Sequence, residues 1–189
     1  MTSAGSLQVS TFSPPGLTLV LGGARSGKSR IAERLVTVSG RPKLYLATAQ
    51  AFDDEMKDRI QHHRKDRGEG WTTLEAPLDV APILRDCQPK FTLLFDCATL
   101  WLSNHLLAGS DLPSETETLL AALAACPAPV VLVSNEVGAG IVPENALARR
   151  FRDEQGRLNQ RLAAQADLVV GVMAGLPFAL KGEMPKGLA

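Results

Sequence analysis

Short apolar runs recur along the chain and are separated by longer polar and amphipathic stretches. The runs show no alternation of polar and apolar positions, so they fit strands that are covered on both faces. Such strands belong to parallel sheets, in which crossover helices cover both sides. The pattern therefore predicts a doubly wound α/β fold with five strands, at Leu17–Leu21, Lys43–Ala47, Thr92–Phe95, Val130–Ser134 and Leu168–Val172.

Helical patterns fill most of the segments between these strands. Ser114 precedes Glu117 at capping-box spacing, and Pro143 stands where the first turn of a helix tolerates proline. Residues 108–113 are predicted to form a loop, and no element is predicted after Pro177. The predicted helices are Lys28–Ser39, Asp53–Asp66, Leu78–Asp86, Ser114–Ala125 and Glu144–Ala166.

Length and composition fit one globular domain. The chain has 189 residues, of which 45% are hydrophobic and 21% are charged, so disordered and fibrous classes are excluded. Nothing resembles an internal repeat or a linker. We expect a flexible N-terminal tail at residues 1–15, one domain at 16–182 and a C-terminal tail at 183–189.

Charge and cysteine content restrict the possible partners and the location. Twenty basic and 20 acidic residues give a formal net charge of zero, which argues against a broad nucleic-acid surface. Cys87, Cys97 and Cys126 form no CxxC pair, so neither a disulfide framework nor a zinc site is indicated. No apolar stretch reaches the roughly 20 residues of a membrane span. We therefore expect a cytoplasmic protein.

A phosphate-binding motif follows the first strand and opens the first helix. The pattern GxxxxGK[ST] lets backbone N–H groups surround phosphate oxygens, while Lys28 adds charge and the Ser29 hydroxyl can bind Mg²⁺. The alternative is a glycine-rich turn that serves packing only. The motif alone indicates nucleotide binding without choosing among kinases, ATPases, switches and recombinases. Its residues are Gly22, Gly23, Ala24, Arg25, Ser26, Gly27, Lys28 and Ser29.

Polar residues follow two further strands, at the sheet edge where ligands of open α/β sheets bind. Asp96 ends the run FTLLF and is expected to hold Mg²⁺ together with Ser29, unless it only caps the next turn. Asn135 and Glu136 lead into a glycine-bearing loop, NEVGAG. Glu136 fits a general base or a metal-supporting group, and equally a residue needed for the turn.

Two adjacent histidines lie in the helix predicted at Asp53–Asp66. At about 100° per residue, His63 shares an apolar-leaning stripe with Ile60, whereas His62 lies on the polar face. A neutral imidazole can attack an α-phosphate and form a phosphoramidate, so His62 is the candidate nucleophile. The residues alone also allow an exposed, non-catalytic His62 and a hydrogen-bonded, partly buried His63.

Several blocks together resemble the bifunctional adenosylcobinamide kinase/adenosylcobinamide-phosphate guanylyltransferase family. They are GGARSGKSR, YLATAQAFDDEMKDRIQHHR, WTTLEAP, DCATLWLSN, VLVSNEVGAGIVPEN and ARRFRDEQGRLNQRLA, in this order, between about residues 17 and 182. The resemblance implies a RecA-like P-loop fold, phosphorylation of adenosylcobinamide by ATP or GTP, and GMP transfer from GTP to adenosylcobinamide phosphate. It implies a covalent GMP-histidine on His62, the residue that the helical face also favours.

The resemblance also implies a wider nucleotide site and a homo-oligomer. Lys28 is the other expected catalytic residue, Ser29 and Asp96 are the expected Mg²⁺ ligands, and a homotrimer is the expected assembly. This chain has Ala49 where the family often has Ser. Beyond the loop of residues 22–29, the implied nucleotide-binding residues are Ala47, Thr48, Ala49, Gln50, His63, Arg64, Lys65, Asp66, Glu75 and Asp96.

Two other functions remain possible from the sequence. A P-loop kinase with a single activity would phosphorylate another small alcohol and would leave His62 as a surface residue. A RecA-like binding protein would use nucleotide to control its association with DNA or protein, although the balanced charge argues against DNA.

Overall fold

The computed structural model describes residues 16–50, 54, 57–58 and 67–185. Within these residues the chain forms seven strands and five helices. The strands are β1 (Leu17–Gly22), β2 (Lys43–Ala47), β3 (Trp71–Glu75), β4 (Thr92–Asp96), β5 (Val130–Asn135), β6 (Leu168–Met173) and β7 (Leu176–Lys181). The helices are α1 (Lys28–Thr37), α2 (Ala81–Arg85), α3 (Ala98–Ala108), α4 (Leu112–Ala125) and α5 (Ala146–Gln165).

All seven strands belong to one sheet with the order β3-β2-β4-β5-β1-β6-β7. Every neighbouring pair is parallel except β6 and β7, which form an antiparallel hairpin at one edge. Because β1 lies between β5 and β6, the chain crosses over the sheet repeatedly, as it does in doubly wound folds. The α/β prediction is confirmed.

Helices cover the sheet on both faces and divide the core into two layers. On one face, α1 places Ile31, Ala32 and Leu35 against strand residues such as Val20 and Leu94. On the other face, residues of α2 to α5 pack against a second set of strand side chains. The alternating side chains of the central strands feed both layers, which explains why these strands are apolar without interruption.

Three elements were absent from the sequence-based prediction, each for a physical reason. Strand β3 is an edge strand whose residues 72–75 are exposed, so it lacks an apolar run. Strand β7 is the opposite edge and contains Pro177, which fits only edge positions. Helix α3 is apolar on nearly all sides and is largely buried, so it shows no amphipathic stripe.

The starts of α4 and α5 differ from the predicted ones. Helix α4 begins at Leu112 after the N-cap Asp111, so the capping box assigned to Ser114 is wrong. Helix α5 begins at Ala146, and the side chain of Asn145 accepts hydrogen bonds from the N–H groups of residues 147 and 148. Pro143 therefore precedes the helix instead of lying in its first turn.

Of the helix predicted at 53–66, only Asp54, Lys57 and Asp58 are described, and all three are helical. The C-terminal tail was predicted to begin at residue 183, and residues 183–185 form no helix or strand. The tail at 1–15 and residues 186–189 lie outside the described residues. No helix in the described part of the chain is both long and apolar enough to cross a membrane.

Candidate nucleotide-binding site

The loop of residues 22–29 connects β1 to α1 in a conformation that needs glycine at two positions. Gly27 has φ 92° and is the N-cap of α1, where a larger residue would be strained. At Gly22, a Cβ atom would lie 2.6 Å from the carbonyl oxygen of Val172 and would also collide with Oγ of Ser26. The loop is therefore shaped by backbone sterics before any ligand binds.

This phosphate loop is held by hydrogen bonds to its carbonyl groups and contains one buried hydroxyl that is not bonded within the described residues. The Gly175 N–H donates to the Ser26 carbonyl at 2.8 Å, which ties the loop to the β6–β7 turn. Lys28 as a whole is 9% exposed, and its ammonium donates to the carbonyl oxygen of Gly23 at 3.1 Å. Among the described residues, the buried Ser26 hydroxyl has no hydrogen-bond partner. Ammonium, hydroxyl and helix N-terminus together suit an anion such as a nucleotide phosphate.

The carboxyl ends of three neighbouring strands bring further predicted residues to one edge. Ala47 of β2 pairs in register with Glu75 of β3 and with Asp96 of β4. Thr48 follows directly, and its N–H donates to the Asp96 carbonyl at 3.2 Å. Half-buried Ala49 and Gln50 continue from there. The structure thus brings six of the predicted binding residues, Thr48 and the five others named above, to one edge of the sheet.

Asp96 and Lys28 both act on the environment of Cys97. Burial and then the charge of Asp96 together raise the pKa of the Cys97 thiol from 9.0 to about 12, and Lys28 opposes the shift. Asp96 and Leu94 are two residues apart on β4, so their side chains lie on the same face of the sheet. Leu94 belongs to the core layer on the α1 face. The carboxylate and the lysine therefore lie on the same side of the sheet, around one buried thiol.

Buried side-chain hydrogen bonds fix the chain where β2 and β4 end; we refer to Tyr45, Thr48, Asp96, Cys97 and Asn104 as the strand-end junction. The Thr48 hydroxyl donates to the Cys97 carbonyl and accepts from the Cys97 N–H, both at 2.8 Å. The Asn104 amide on α3 donates to the Thr48 and Pro77 carbonyls. The Tyr45 hydroxyl donates to Oδ2 of Asp96 at 3.0 Å.

Sequence reasoning missed Tyr45, Cys97 and Asn104, because their partners lie on other strands and helices. The only local signal for them was the position of Asp96 and Cys97 at the end of an apolar run. Their hydrogen-bond partners are known only from the pairing of the strands in the folded sheet.

The end of β5 contributes further residues to the same edge of the sheet. Asn135 pairs in register with Gly22, and the Glu136 N–H donates to the Gly22 carbonyl at 3.1 Å. Oε1 of Glu136 accepts from the N–H of Gly138, so in this structure the carboxylate caps its own loop. The Thr99 hydroxyl accepts from the Asn135 N–H at 2.7 Å and thereby joins α3 to β5.

The oxygen groups present fit a magnesium ion that is shared with a nucleotide. No three His, Cys, Asp or Glu side chains cluster into a complete metal site within the described ranges. Mg²⁺ typically uses one or two protein oxygens and completes its shell with phosphates and water. The Asp96 carboxylate at the strand end and the Ser29 hydroxyl in the first turn of α1 are donors of that kind.

The candidate nucleophile cannot be placed in this geometry. His62 and the four residues that follow it, His63, Arg64, Lys65 and Asp66, lie outside the described residues. The roles given to them remain predictions.

A family model described as cobinamide kinase / cobinamide phosphate guanyltransferase matches residues 18–180. The bifunctional adenosylcobalamin biosynthesis protein CobP of Pseudomonas aeruginosa is 51% identical over 168 residues, covering 87% of this chain and 97% of that protein. The protein CobU of Salmonella typhimurium, with the same description, is 47% identical over 182 residues, covering 87% and 99%.

Solved structures of low identity share the fold. A protein from Pyrococcus horikoshii OT3, the subject of a structural study under Project ID PH0250, has a TM-score of 0.55 and 10% sequence identity. The match covers 94% of this chain and 91% of that protein. A prototypical ATPase from the type III secretion system of pathogenic bacteria has a TM-score of 0.53 at 13% identity, covering 86% and 56%. These similarities support the RecA-like P-loop fold, and at such low sequence identity they concern the fold alone.

Proposed function

This chain belongs to the cobinamide kinase / cobinamide phosphate guanyltransferase family, and we propose that one nucleotide site serves both of its reactions. The protein is an adenosylcobinamide kinase and adenosylcobinamide-phosphate guanylyltransferase of cobalamin biosynthesis. The proposal adds that both activities reside in one domain, residues 16–182. The observation that carries it is the single phosphate loop beside Asp96 at one edge of the sheet.

In the kinase reaction, the phosphate loop binds the β- and γ-phosphates of ATP or GTP. Lys28 neutralises charge on the γ-phosphate as its bond to the bridging oxygen breaks. The hydroxyl oxygen of adenosylcobinamide attacks the γ-phosphorus, loses its proton and becomes the phosphate ester. Backbone N–H groups of the loop and the N-terminus of α1 stabilise the departing nucleoside diphosphate.

In the transferase reaction, a ring nitrogen of His62 attacks the α-phosphorus of GTP and forms a phosphoramidate. The bond from the α-phosphorus to the bridging oxygen breaks, and pyrophosphate leaves with its charge on the loop and Lys28. A phosphate oxygen of adenosylcobinamide phosphate then displaces His62 and gives adenosylcobinamide-GDP. The family match and the order of the sequence blocks support His62 in this role.

Ser29 and Asp96 would hold magnesium, which would supply neutralisation of phosphate charge in both reactions. Five more proposed nucleotide-binding residues lie at the same edge of the sheet, where β2 and β3 end: Ala47, Thr48, Ala49, Gln50 and Glu75. His63, Arg64, Lys65 and Asp66 complete the proposed site on the basis of the resemblance.

Labelling with α-labelled GTP tests the covalent step. We expect label on the protein that is acid-labile and alkali-stable and that is absent from His62→Ala. A His63→Ala variant is the matched control and should retain label. Label that persists in His62→Ala would refute the assignment, and unlabelled wild-type protein would favour a kinase with a single activity.

A separate assay addresses the binding-protein alternative. We expect turnover of adenosylcobinamide with ATP or GTP, and no nucleotide-dependent DNA binding at physiological salt. DNA binding without turnover would support a RecA-like binding protein and would contradict the proposed function.

We further propose a homo-oligomer, with a trimer as the expected state, in the cytoplasm. Exposed apolar side chains on and beside β7 support contact with a second copy: Met173, Leu176, Phe178 and Leu180. Light scattering of the purified protein should give the mass of three chains, and a monomer at all concentrations would contradict the proposal. The free cysteines Cys87, Cys97 and Cys126 agree with a reducing compartment.

A further inference from the structure

The Tyr45 side chain connects the middle of β2 to the carboxylate that ends β4. Its hydroxyl donates to Oδ2 of Asp96 at 3.0 Å, and the residue is 7% exposed. Within the described residues, no hydrogen bond reaches the other carboxylate oxygen, Oδ1. We propose that Tyr45 is a positioning residue that orients Asp96 so that Oδ1 can bind the divalent cation of the nucleotide. This inference rests on the proposed function.

Two neighbouring side chains prevent the Tyr45 ring from turning. The guanidinium carbon of Arg67 lies 3.3 Å from the ring centroid, so the ring is covered on one face. Trp71 meets the ring edge-on, with centroids 6.1 Å apart and planes at 88°. The Trp71 indole N–H donates to the Arg67 carbonyl at 3.2 Å, which ties the two neighbours together. The hydroxyl therefore has a fixed direction.

The donor and acceptor roles in this hydrogen bond are also fixed. The phenol hydroxyl carries the proton and an ionised carboxylate only accepts, so Tyr45 donates to Oδ2 of Asp96. A carboxylate that is bonded through one oxygen keeps its second oxygen free for a metal, and outer contacts of this type orient metal ligands.

Arg67 holds the Tyr45 ring mainly by stacking its charged guanidinium group on it, and less by hydrogen bonds. Its Nε and Nη1 atoms are buried and have no hydrogen-bond partner among the described residues. Its guanidinium carbon, 3.3 Å from the ring centroid, places the positive charge directly over the phenol ring. Arg67 directly follows the segment 63–66, so the same stack links the chain after the proposed nucleophile to Asp96.

The substitution Tyr45→Phe removes the hydroxyl and leaves the ring contacts with Arg67 and Trp71. The full-length protein is saturated with a non-hydrolysable GTP analogue and titrated with Mn²⁺, and free Mn²⁺ is measured by electron paramagnetic resonance. We expect Mn²⁺ to bind roughly tenfold more weakly than in wild type, as when other ligand-orienting contacts are lost. Affinity for the analogue in EDTA should stay unchanged. In steady-state assays, the Mg²⁺ concentration for half-maximal rate should rise, while KM for GTP at saturating Mg²⁺ should not.

Thr92→Val is the matched control. It removes a buried hydroxyl from the opposite end of β4, where Thr92 donates to Oγ of Ser39 at 3.0 Å. This control should destabilise the fold without changing Mn²⁺ affinity. Arg67→Met should weaken Mn²⁺ binding in the same direction as Tyr45→Phe and by less. Unchanged Mn²⁺ affinity in Tyr45→Phe would overturn the proposal, as would an equal loss of metal-free nucleotide affinity.

Failure of the proposed function has a different signature from failure of this inference. If wild type binds the analogue but gains no Mn²⁺ site, the metal role of Asp96 is wrong, and Tyr45 has nothing to position. If wild type binds Mn²⁺ and forms the GMP adduct while Tyr45→Phe behaves identically, only the role of Tyr45 is wrong.

Discussion

The phosphate loop and the strand-end junction lie at the same edge of the sheet but are built differently. The loop of residues 22–29 presents backbone groups, and its shape depends on Gly22 and Gly27. The junction fixes Thr48, Asp96 and Cys97 through buried side-chain hydrogen bonds. A ligand can therefore supply the missing partner of the Ser26 hydroxyl, whereas the Thr48, Cys97 and Asn104 groups of the junction already have hydrogen-bond partners in the protein.

The difference separates two kinds of substitution. Removal of a charged or hydroxyl side chain from the loop should reduce catalysis more than stability, because phosphate-binding groups stabilise the charge that moves in the reaction. Changes in the junction should reduce stability first, because buried donors and acceptors there would lose their partners.

The largest expected effect comes from Lys28→Ala in the loop. Loss of the ammonium removes charge stabilisation from both reactions, so kcat should fall by about 10²- to 10³-fold in each. The midpoint of urea unfolding should change much less than kcat, because the hydrogen bond from Lys28 to the Gly23 carbonyl is a local contact worth about 1 kcal/mol. Retention of full turnover would remove Lys28 from the proposed site.

A Gly22→Ala substitution tests whether the loop depends on sterics. The added Cβ would meet the Val172 carbonyl, which is backbone and cannot rotate away. We expect a stability loss of about 1–3 kcal/mol and weaker nucleotide binding, measured by urea unfolding and calorimetry. Gly23→Ala is the matched control, because no atom lies within 4 Å of a Cβ there. Equal behaviour of the two variants would contradict the steric argument.

In the junction, Thr48→Val replaces the hydroxyl with a methyl group of similar size. The Cys97 N–H would lose its partner and the Cys97 carbonyl would keep the bond from the Trp101 N–H, so the free energy of unfolding should fall by about 1–3 kcal/mol. Thr37→Val is the control, since the Thr37 hydroxyl is exposed and bonds only within α1. If the two variants lose equal stability, the junction is no more important than a surface hydrogen bond.

The smallest expected effect is a pH dependence that comes from Cys97. Burial and Asp96 raise the pKa of this thiol from 9.0 to about 12 in the folded protein. The thiol therefore ionises first in the unfolded chain, and its contribution to stability is lost as the pH rises from about 9 towards 12. At pH 10 the loss should be about 1 kcal/mol.

Comparing wild type with Cys97→Ala between pH 8 and pH 10 isolates this contribution. The variant should show a shallower decline in the free energy of unfolding, while Tyr45 and Cys87 contribute to both proteins. Parallel declines in the two proteins would show that the thiol is not held neutral by the fold.

Much of the fold could be predicted from local patterns. The five central strands were recognised because burial on both faces makes them uniformly apolar. The edge strands β3 and β7 were missed because most of their side chains are exposed, so these strands need no run of apolar residues. Helix α3 was missed for the opposite reason, since its burial on nearly all sides removes the polar stripe that marks a surface helix.

The sequence by itself determined the phosphate loop, because a tight turn between a strand and a helix requires specific residues within eight consecutive positions. It also determined family membership, through blocks spread along most of the chain. Only the tertiary structure decided that Tyr45 bonds to Asp96, that Thr48 holds Cys97, and that Ala47, Glu75 and Asp96 share one register. Those contacts join residues far apart in the chain, and their geometry depends on which strands become neighbours.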